Sequence, residues 1–361
     1  MKNKKTTYVI AEAGVNHNGS VRLAKKLIDV AANAGADAVK FQTFRAEALV
    51  TAAMPKAVYQ RRDRASGSTQ FEMLKKLELS DRDHKELYRH AEKRGIEFLS
   101  TPFDETCLDF LVELGVKKIK IPSGEITNGP LLLATARTGL PVILSTGMAN
   151  ITEVEDAVSI LSFGYISPNL PVRSLQKAKV VFRNSEAKSI VRKKVTLLHC
   201  TTEYPALDRD LNLAAMNSLR RHFGCRVGFS DHSKGIMVAV AAVALGAAVI
   251  EKHLTLDKKM IGPDHAMSLE PDEFAEMVRG IRTVESAIGH GVKRPVCSEM
   301  KNIAVVRKVL VASQPIHKGE FFTPENLTAK RAGKGVSPML YWDILGKKAK
   351  RDFQTDQMVT L

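Results

Sequence analysis

Lysine is costly to bury, yet Lys40 and Lys120 each sit in a short run of apolar and β-branched residues, Ala38 to Gln42 and Lys118 to Ile121. Thr101, Ser123 and Ser145 stand at the ends of comparable runs. Together they offer two ammonium groups and three hydroxyls, an environment suited to a phosphate and a carboxylate bound side by side. A bound anion would give each lysine the charge partner it needs. Ion pairing with Glu12, Glu125 or Glu251 would do so too, and at this level both readings stand.

His232 and His253 close two further runs. Neutral imidazoles on adjacent strands could grip one divalent cation, and two histidines leave positions open, as a catalytic Lewis acid requires. Each could equally be a satisfied polar residue. Glu251 shares a face with His253, and Lys40 with Gln42, because strand side chains alternate. Glu251 could therefore orient a ligand or a nearby water. Asn16-His17-Asn18-Gly19 precedes a helix capped by Ser20, and its backbone donors either face the same site or only cap. Asp264, in Gly262-Pro263-Asp264-His265, could meet sugar hydroxyls or form a turn.

These residues need a frame that gathers strand ends. From Tyr8 to about Ile288 the chain alternates eight strand-like runs with amphipathic helical stretches, the pattern of a parallel sheet. The runs are Tyr8 to Glu12, Ala38 to Gln42, Glu97 to Ser100, Lys118 to Ile121, Val142 to Ser145, Val195 to Cys200, Val227 to Ser230 and Ala248 to His253. Gly35, Gly95, Gly115, Gly139 and Gly246 precede strands as left-handed helix ends would. Ser80 with Asp83, and Thr152 with Glu155, read as capping boxes. Eight such units in about 280 residues fit a closed (β/α)₈ TIM barrel better than an open doubly wound sheet. Its active site would lie at the carboxyl ends of the strands, where Glu12, Lys40, Gln42, Thr101, Lys120, Ser123, Glu125, Ser145, Thr146, His199, Thr201, Ser230, Asp231, His232, Glu251 and His253 all fall.

Two stretches interrupt the alternation. Ala53 to Ser68 reads as a long loop over the barrel mouth. Phe163 to Lys194 is an insertion holding Arg173, Lys177, Lys179, Arg183, Lys188, Arg192, Lys193 and Lys194 against the single acid Glu186. Beyond residue 288, residues 289–301 resemble a linker, and residues 302–361 carry short strand, turn and cap signals of a small mixed domain, marginal on its own.

Composition narrows the function. The 54 lysines and arginines exceed the 39 acids, giving +15, which admits nucleic acid, membrane surface or an anionic substrate. Much of the excess lies in the insertion, which reads as a solvated segment. Phe182 alone represents the aromatics among its lysines, and no nucleic-acid motif appears, so nucleic-acid binding is the weaker reading. No run is long enough to cross a bilayer, and Met1 to Thr7 lacks the apolar stretch of a signal peptide, pointing to the cytoplasm. Cys107, Cys200, Cys225 and Cys297 show no paired spacing and should be reduced thiols.

Nine segments and the tail resemble the N-acetylneuraminate (sialic acid) synthase family, including its bacterial legionaminic acid synthases. They are IAEAGVNHNG at Ile10, KFQTF at Lys40, STPFD at Ser100, KIPSGE at Lys120, STGM at Ser145, LLHCTTEYP at Leu197, GFSDHS at Gly228, EKHLTLD at Glu251 and GPDHAMSLEP at Gly262. KGEFFTPENLTAKR from Lys318 resembles the family's antifreeze-like (SAF, β-clip) C-terminal domain.

The resemblance implies that phosphoenolpyruvate lies over Lys40, Thr101, Lys120, Ser123, Ser145 and Ser230. It makes His232 and His253 the ligands of Mn²⁺ or a similar ion, Mg²⁺ or Co²⁺ included. An N-acylated mannose-type sugar is expected at Glu12, Gln42, Tyr204 and Asp264. Arg331 would reach the partner's barrel in a domain-swapped homodimer. Glu125 would position or deprotonate a water, or else only cap its loop at Thr127 and Asn128. At Thr202 some family members carry asparagine as a phosphoenolpyruvate contact, so a shorter hydroxyl must substitute there. The acceptor is N-acetylmannosamine or a 2,4-diacetamido-2,4,6-trideoxymannose, with KIPSGEITN and CTTEYP closer to the latter. A related synthase acting on a phosphorylated sugar is the second enzyme reading, and the tail speaks against it.

Overall fold

The β-branched and apolar runs become eight parallel strands: β1 (Tyr8–Gly14), β2 (Ala38–Thr43), β3 (Glu97–Pro102), β4 (Ile119–Ile121), β5 (Val142–Ser145), β6 (Val195–Cys200), β7 (Arg226–Asp231) and β8 (Val249–His253). The computed structural model describes residues 6–56 and 69–360. The ladder runs from β3 through β2, β1, β8, β7, β6 and β5 to β4, and β3 and β4 lie beside each other to complete the ring. Helices intervene between the strands, giving the expected (β/α)₈ barrel.

Both faces of the strands are buried. Outward residues such as Val9, Val39, Phe41 and Phe229 join the helices in the main core. Inward, Ile10, Ala38, Leu99, Ile143, Leu198 and Val249 form a separate apolar plug. Strand side chains repeat every second residue, so the next inward positions above the plug are Glu12, Lys40, Thr101, Ser145, Cys200 and Glu251. The plug is thus the floor of the site.

The helices have identifiable starts and stops. Helix Val21–Asn33 begins where Ser20 accepts from the Leu23 amide and buries Ala24, Leu27, Ile28 and Ala31, one stripe of a 3.6-residue period. Burial of Leu27 and Ile28 contributes roughly 1.5–3 kcal/mol each. The Ser80–Asp83 capping box is present. The expected Thr152–Glu155 box is not: Asn150 and Glu153 form it, starting helix Ile151–Ile166 earlier. Asn150 Oδ1 accepts from the amides of both Thr152 and Glu153, which places Thr152 inside the first turn. Gly35, Gly95, Gly115, Gly139 and Gly246 all adopt positive φ between 70° and 88°.

Pro55 bridges to Thr69, and the rest of the expected mouth loop, residues 57–68, lies outside the described residues. The basic insertion finishes helix Ile151–Ile166 and then folds into helices Leu175–Phe182 and Ser185–Lys194. Ala178, Phe182, Ala187 and Val191 face inward, and Lys179 pairs with Asp156.

By its internal contacts the chain divides into two units, Met1–Gly289 and His290–Leu361. In the second, β9 (Val309–Ala312) pairs antiparallel with β10 (Leu327–Lys330) over a small core that includes Leu310, Ile316, Phe322, Ile344 and Phe353. Helix Cys297–Val306 crosses the expected boundary between linker and tail domain. Among the described residues, no helix is long and apolar enough to cross a membrane.

Candidate active site

Strand register assembles the site. Glu12 of β1 stands opposite Lys40 of β2 and His253 of β8; Gln42 stands opposite Thr101, and Ser230 opposite Glu251. These side chains meet in a cavity of about 730 Å³ at the carboxyl ends of the strands. Most of the barrel candidates line it: Glu12, Lys40, Gln42, Thr101, Lys120, Ser123, Glu125, Ser145, Thr202, Tyr204, Ser230, His232, Glu251, His253 and Asp264. Arg331 belongs to the second unit, where it follows β10 and is exposed.

The lysines do have carboxylate partners. Lys40 Nζ lies 2.8 Å from Glu12 Oε2 and 3.6 Å from Glu251 Oε2, and Lys120 Nζ lies 3.7 Å from Glu251 Oε1. Lys120 donates to Ser145 Oγ at 2.7 Å, and Ser230 Oγ donates to Glu251 Oε1 at 2.8 Å. Glu125 is not a partner; its Oε2 accepts from Asn128 Nδ2 at 2.7 Å, so the loop-capping contact is present while the residue also faces the cavity.

Burial separates the two glutamates. It raises the Glu12 carboxyl, with help from the Glu251 charge, and the Lys40 ammonium offsets only part of this. Burial acts upward on Glu251 too, but Lys120 and Lys40 outweigh it and hold the carboxyl low. The cluster therefore holds one firmly ionised carboxylate and one that readily takes a proton, against Lys40 and a Lys120 that burial pushes down despite the Glu251 charge. That balance favours an anionic ligand.

His232 and His253 lie side by side, ring centroids 5.6 Å apart, with the Tyr204 ring 4.2 Å from His232. His232 Nδ1 is 2.7 Å from the Thr201 carbonyl, which can only accept, so Nδ1 carries the proton and Nε2 presents its lone pair. Buried His253 Nδ1 has no hydrogen-bond partner. Burial pushes His232 down to about 4 and His253 well below the usual range, so both rings are neutral. Neutral, closely spaced imidazoles with a buried nitrogen left unsatisfied fit a divalent cation. Among the described residues no cluster of three or more His, Cys, Asp or Glu could hold a metal, so the pair would leave its other positions to substrate or water.

Other strand-end residues point elsewhere. His199 bonds the Leu211 carbonyl at 2.7 Å, Thr201 donates to the Asp210 carbonyl and Thr146 to the Leu198 carbonyl. Asp231 faces away from the cavity, as its place between inward Ser230 and His232 requires. Buried Thr202 Oγ1 has no hydrogen-bond partner, which leaves its hydroxyl available to a ligand. A Cβ on Gly147 would come within 2.3 Å of that oxygen, so only glycine admits it. Asp264, raised to about 6 by burial, has Oδ2 3.9 Å from His253 Nδ1.

An apolar wall escaped sequence reasoning. Leu49, Val50, Met73, Leu74, Leu77 and Phe103 line one side of the cavity and form a cluster of their own with Val15, Phe44 and Ala46. Helix Gln70–Leu77 supplies three of them, held by a Thr69–Glu72 capping box. Its short apolar stripe carries no local mark that ties it to the barrel mouth. Cys200 was missed as well; its Sγ lies 3.1 Å from Ser123 Oγ.

Fold and site together define a (β/α)₈ barrel with two buried lysines and two neutral imidazoles in one cavity at the carboxyl ends of its strands. Residues 27–293 match the NeuB family and residues 307–361 the SAF domain. The chain is 49% identical over 355 residues to the N,N'-diacetyllegionaminic acid synthase of Campylobacter jejuni subsp. jejuni, covering 98% of this chain and 99% of the relative. It is 45% identical to the N,N'-diacetyllegionaminic acid synthase of Legionella pneumophila, covering 95% and 90%. The N-acetylneuraminic acid synthetase structure from Leptospira borgpetersenii, in complex with citrate, is similar at a TM-score of 0.66 and 35% identity, over 84% of this chain and 94% of that one. The chain belongs to the NeuB family.

Proposed function

We propose that this enzyme condenses phosphoenolpyruvate with a 2,4-diacetamido-2,4,6-trideoxymannose, releasing phosphate and forming a nine-carbon acidic sugar. The observation that carries the reading is the meeting, in one cavity, of buried Lys40 and Lys120 with a pair of neutral imidazoles. Near full-length similarity to N,N'-diacetyllegionaminic acid synthases supports it. The apolar wall favours the diacetamido sugar over N-acetylmannosamine: a deoxy carbon and an extra acetyl methyl need apolar contact, and a hydroxyl there would lose water.

In this reading Lys40 and Lys120 bind the phosphate and carboxylate of phosphoenolpyruvate, with Thr101, Ser123, Ser145, Thr202 and Ser230 as hydroxyl donors. Glu12, Gln42, Tyr204 and Asp264 hold the open-chain sugar so that its aldehyde carbon faces the methylene carbon of phosphoenolpyruvate. A divalent cation on His232 and His253, Mn²⁺ in our reading, would polarise the aldehyde oxygen. The methylene carbon bonds to the aldehyde carbon, whose oxygen takes up a proton, and a water adds to C2. Glu125 positions that water and accepts its proton. The C2 hydroxyl then passes its proton to the phosphate-bearing oxygen as the bond from C2 to that oxygen breaks, leaving the keto acid and inorganic phosphate. Glu251 keeps the two lysines charged and aligned.

Phosphate release from phosphoenolpyruvate tests this, using metal-stripped protein with and without Mn²⁺ and each sugar offered separately. Release that needs both Mn²⁺ and the diacetamido sugar is the expected result. Release with N-acetylmannosamine alone would overturn the acceptor, and no release with either would overturn the reaction.

A further inference from the structure

Behind the two histidines lies a polar network that the reaction does not use. In the β7–β8 ladder Asp231 stands opposite Lys252. Ser230 and Glu251, one residue earlier on each strand, face the cavity, so Asp231 and Lys252 face the helix layer, each about 1% exposed. Lys252 Nζ donates to Asp231 Oδ2 at 2.8 Å and to the Ser233 carbonyl at 2.6 Å. Asp231 Oδ1 in turn accepts from the Ser233 amide at 2.8 Å and from its hydroxyl at 2.6 Å.

Such a pair is a poor way to stabilise a fold, because removing two ions from water offsets most of their attraction, and an apolar pair of similar volume often serves as well. Its directional bonds do what an apolar pair would not: they tie the end of β7 and the turn after it to β8 at one register. The tied residues flank His232 on both sides and directly precede His253. A change in their relative placement would move both imidazoles.

We propose that Asp231, Ser233 and Lys252 form a brace that sets the spacing of His232 and His253 and thereby the affinity of the site for a divalent cation. The proposal rests on the cation reading above and makes these three positioning residues, since none of them touches substrate. Partners that orient metal ligands typically change affinity 10–100-fold when removed.

The test is Mn²⁺ affinity of the metal-stripped protein, followed by electron paramagnetic resonance of free Mn²⁺, alongside thermal unfolding without metal. The parent is measured first; a parent that binds no Mn²⁺ would overturn the cation reading and the brace with it. The double variant Asp231→Leu/Lys252→Met is expected to unfold near the parent's temperature yet bind Mn²⁺ about 10–100-fold more weakly, its phosphate release recovering as Mn²⁺ is raised. Affinity within about twofold of the parent's in that folded variant would overturn the brace alone. If the double variant does not fold, Ser233→Ala decides: it removes one hydroxyl from Asp231, and several-fold weaker Mn²⁺ binding supports the brace while unchanged binding overturns it.

Discussion

Lys40 Nζ stands 2.8 Å from Glu12 Oε2, with both side chains at most 5% exposed. Breaking such a buried pair from one side typically costs about 3–5 kcal/mol. Glu12 already leans toward the neutral form, so Lys40→Met lets it protonate and escape part of that cost. Neutralising a carboxyl is harder at high pH, so the variant should lose more stability at pH 8 than at pH 6. Its kcat/KM for phosphoenolpyruvate should fall at least about 30-fold, the lower end for truncating one partner of a buried charged pair. Thermal unfolding at the two pH values and steady-state kinetics check both; equal destabilisation at both pH values would contradict this account of Glu12.

His17 gives the fold an acid limit. Buried beside Phe41, it accepts from the Gly19 amide, and burial lowers it to about 3. A base whose folded value is depressed takes up fewer protons folded than unfolded. Stability should therefore be complete above about 6.5 and fall as pH drops below it, at up to roughly 1.4 kcal/mol per pH unit for this residue. His17→Gln should flatten that slope in thermal melts between pH 6.5 and 4. An unchanged slope would place the acid sensitivity elsewhere.

The apolar wall should set acceptor preference. Leu49→Ser places a hydroxyl on its half-buried edge and should lower kcat/KM for the diacetamido sugar about tenfold, in the range for removing a single apolar group from a pocket. N-acetylmannosamine should be affected far less. Parallel loss with both sugars would show that the wall supports the barrel mouth rather than reading the substrate.

Gly228 on β7 is a packing requirement. A Cβ there would come within 2.3 Å of the Val249 carbonyl and 2.8 Å of Leu198 Cδ2, both in neighbouring strands. Gly228→Ala should destabilise by about 1–3 kcal/mol, as overpacking does, and lower the melting temperature. A melt equal to the parent's would mean that β7 and β8 separate at no cost.

Arg331 provides a test of the domain-swapped homodimer. If it completes the partner's site, Arg331→Ala and Lys120→Ala chains should each be inactive. Mixed after co-refolding they should recover about one quarter of parental activity, since half the dimers are mixed and each has one intact site. No recovery would restrict Arg331 to its own subunit or remove it from the site.

Strand identity, strand order and the polar strand ends were legible because they rest on local signals: β-branched runs, a two-residue alternation and glycines with positive φ before the strands. The Thr152 box was misplaced because two capping patterns lie two residues apart, and only the amides that Asn150 captures choose between them. Local signals also placed His199, Thr201 and Thr146 beside Lys40, since they name the strand end but not the direction of each side chain.

Alternation and burial act residue by residue, so the chain read alone already assigns two lysines, two histidines and a set of hydroxyls to one end of an eight-stranded barrel. Which of them meet is settled only on folding. Register between strands separated by a helix put Glu12 against Lys40 and Asp231 against Lys252. Packing of helix Gln70–Leu77 over the mouth made an apolar wall from residues with no local mark of function. Those pairings depend on contacts between distant segments, and burial there set the charge of Glu12 and the neutrality of both histidines.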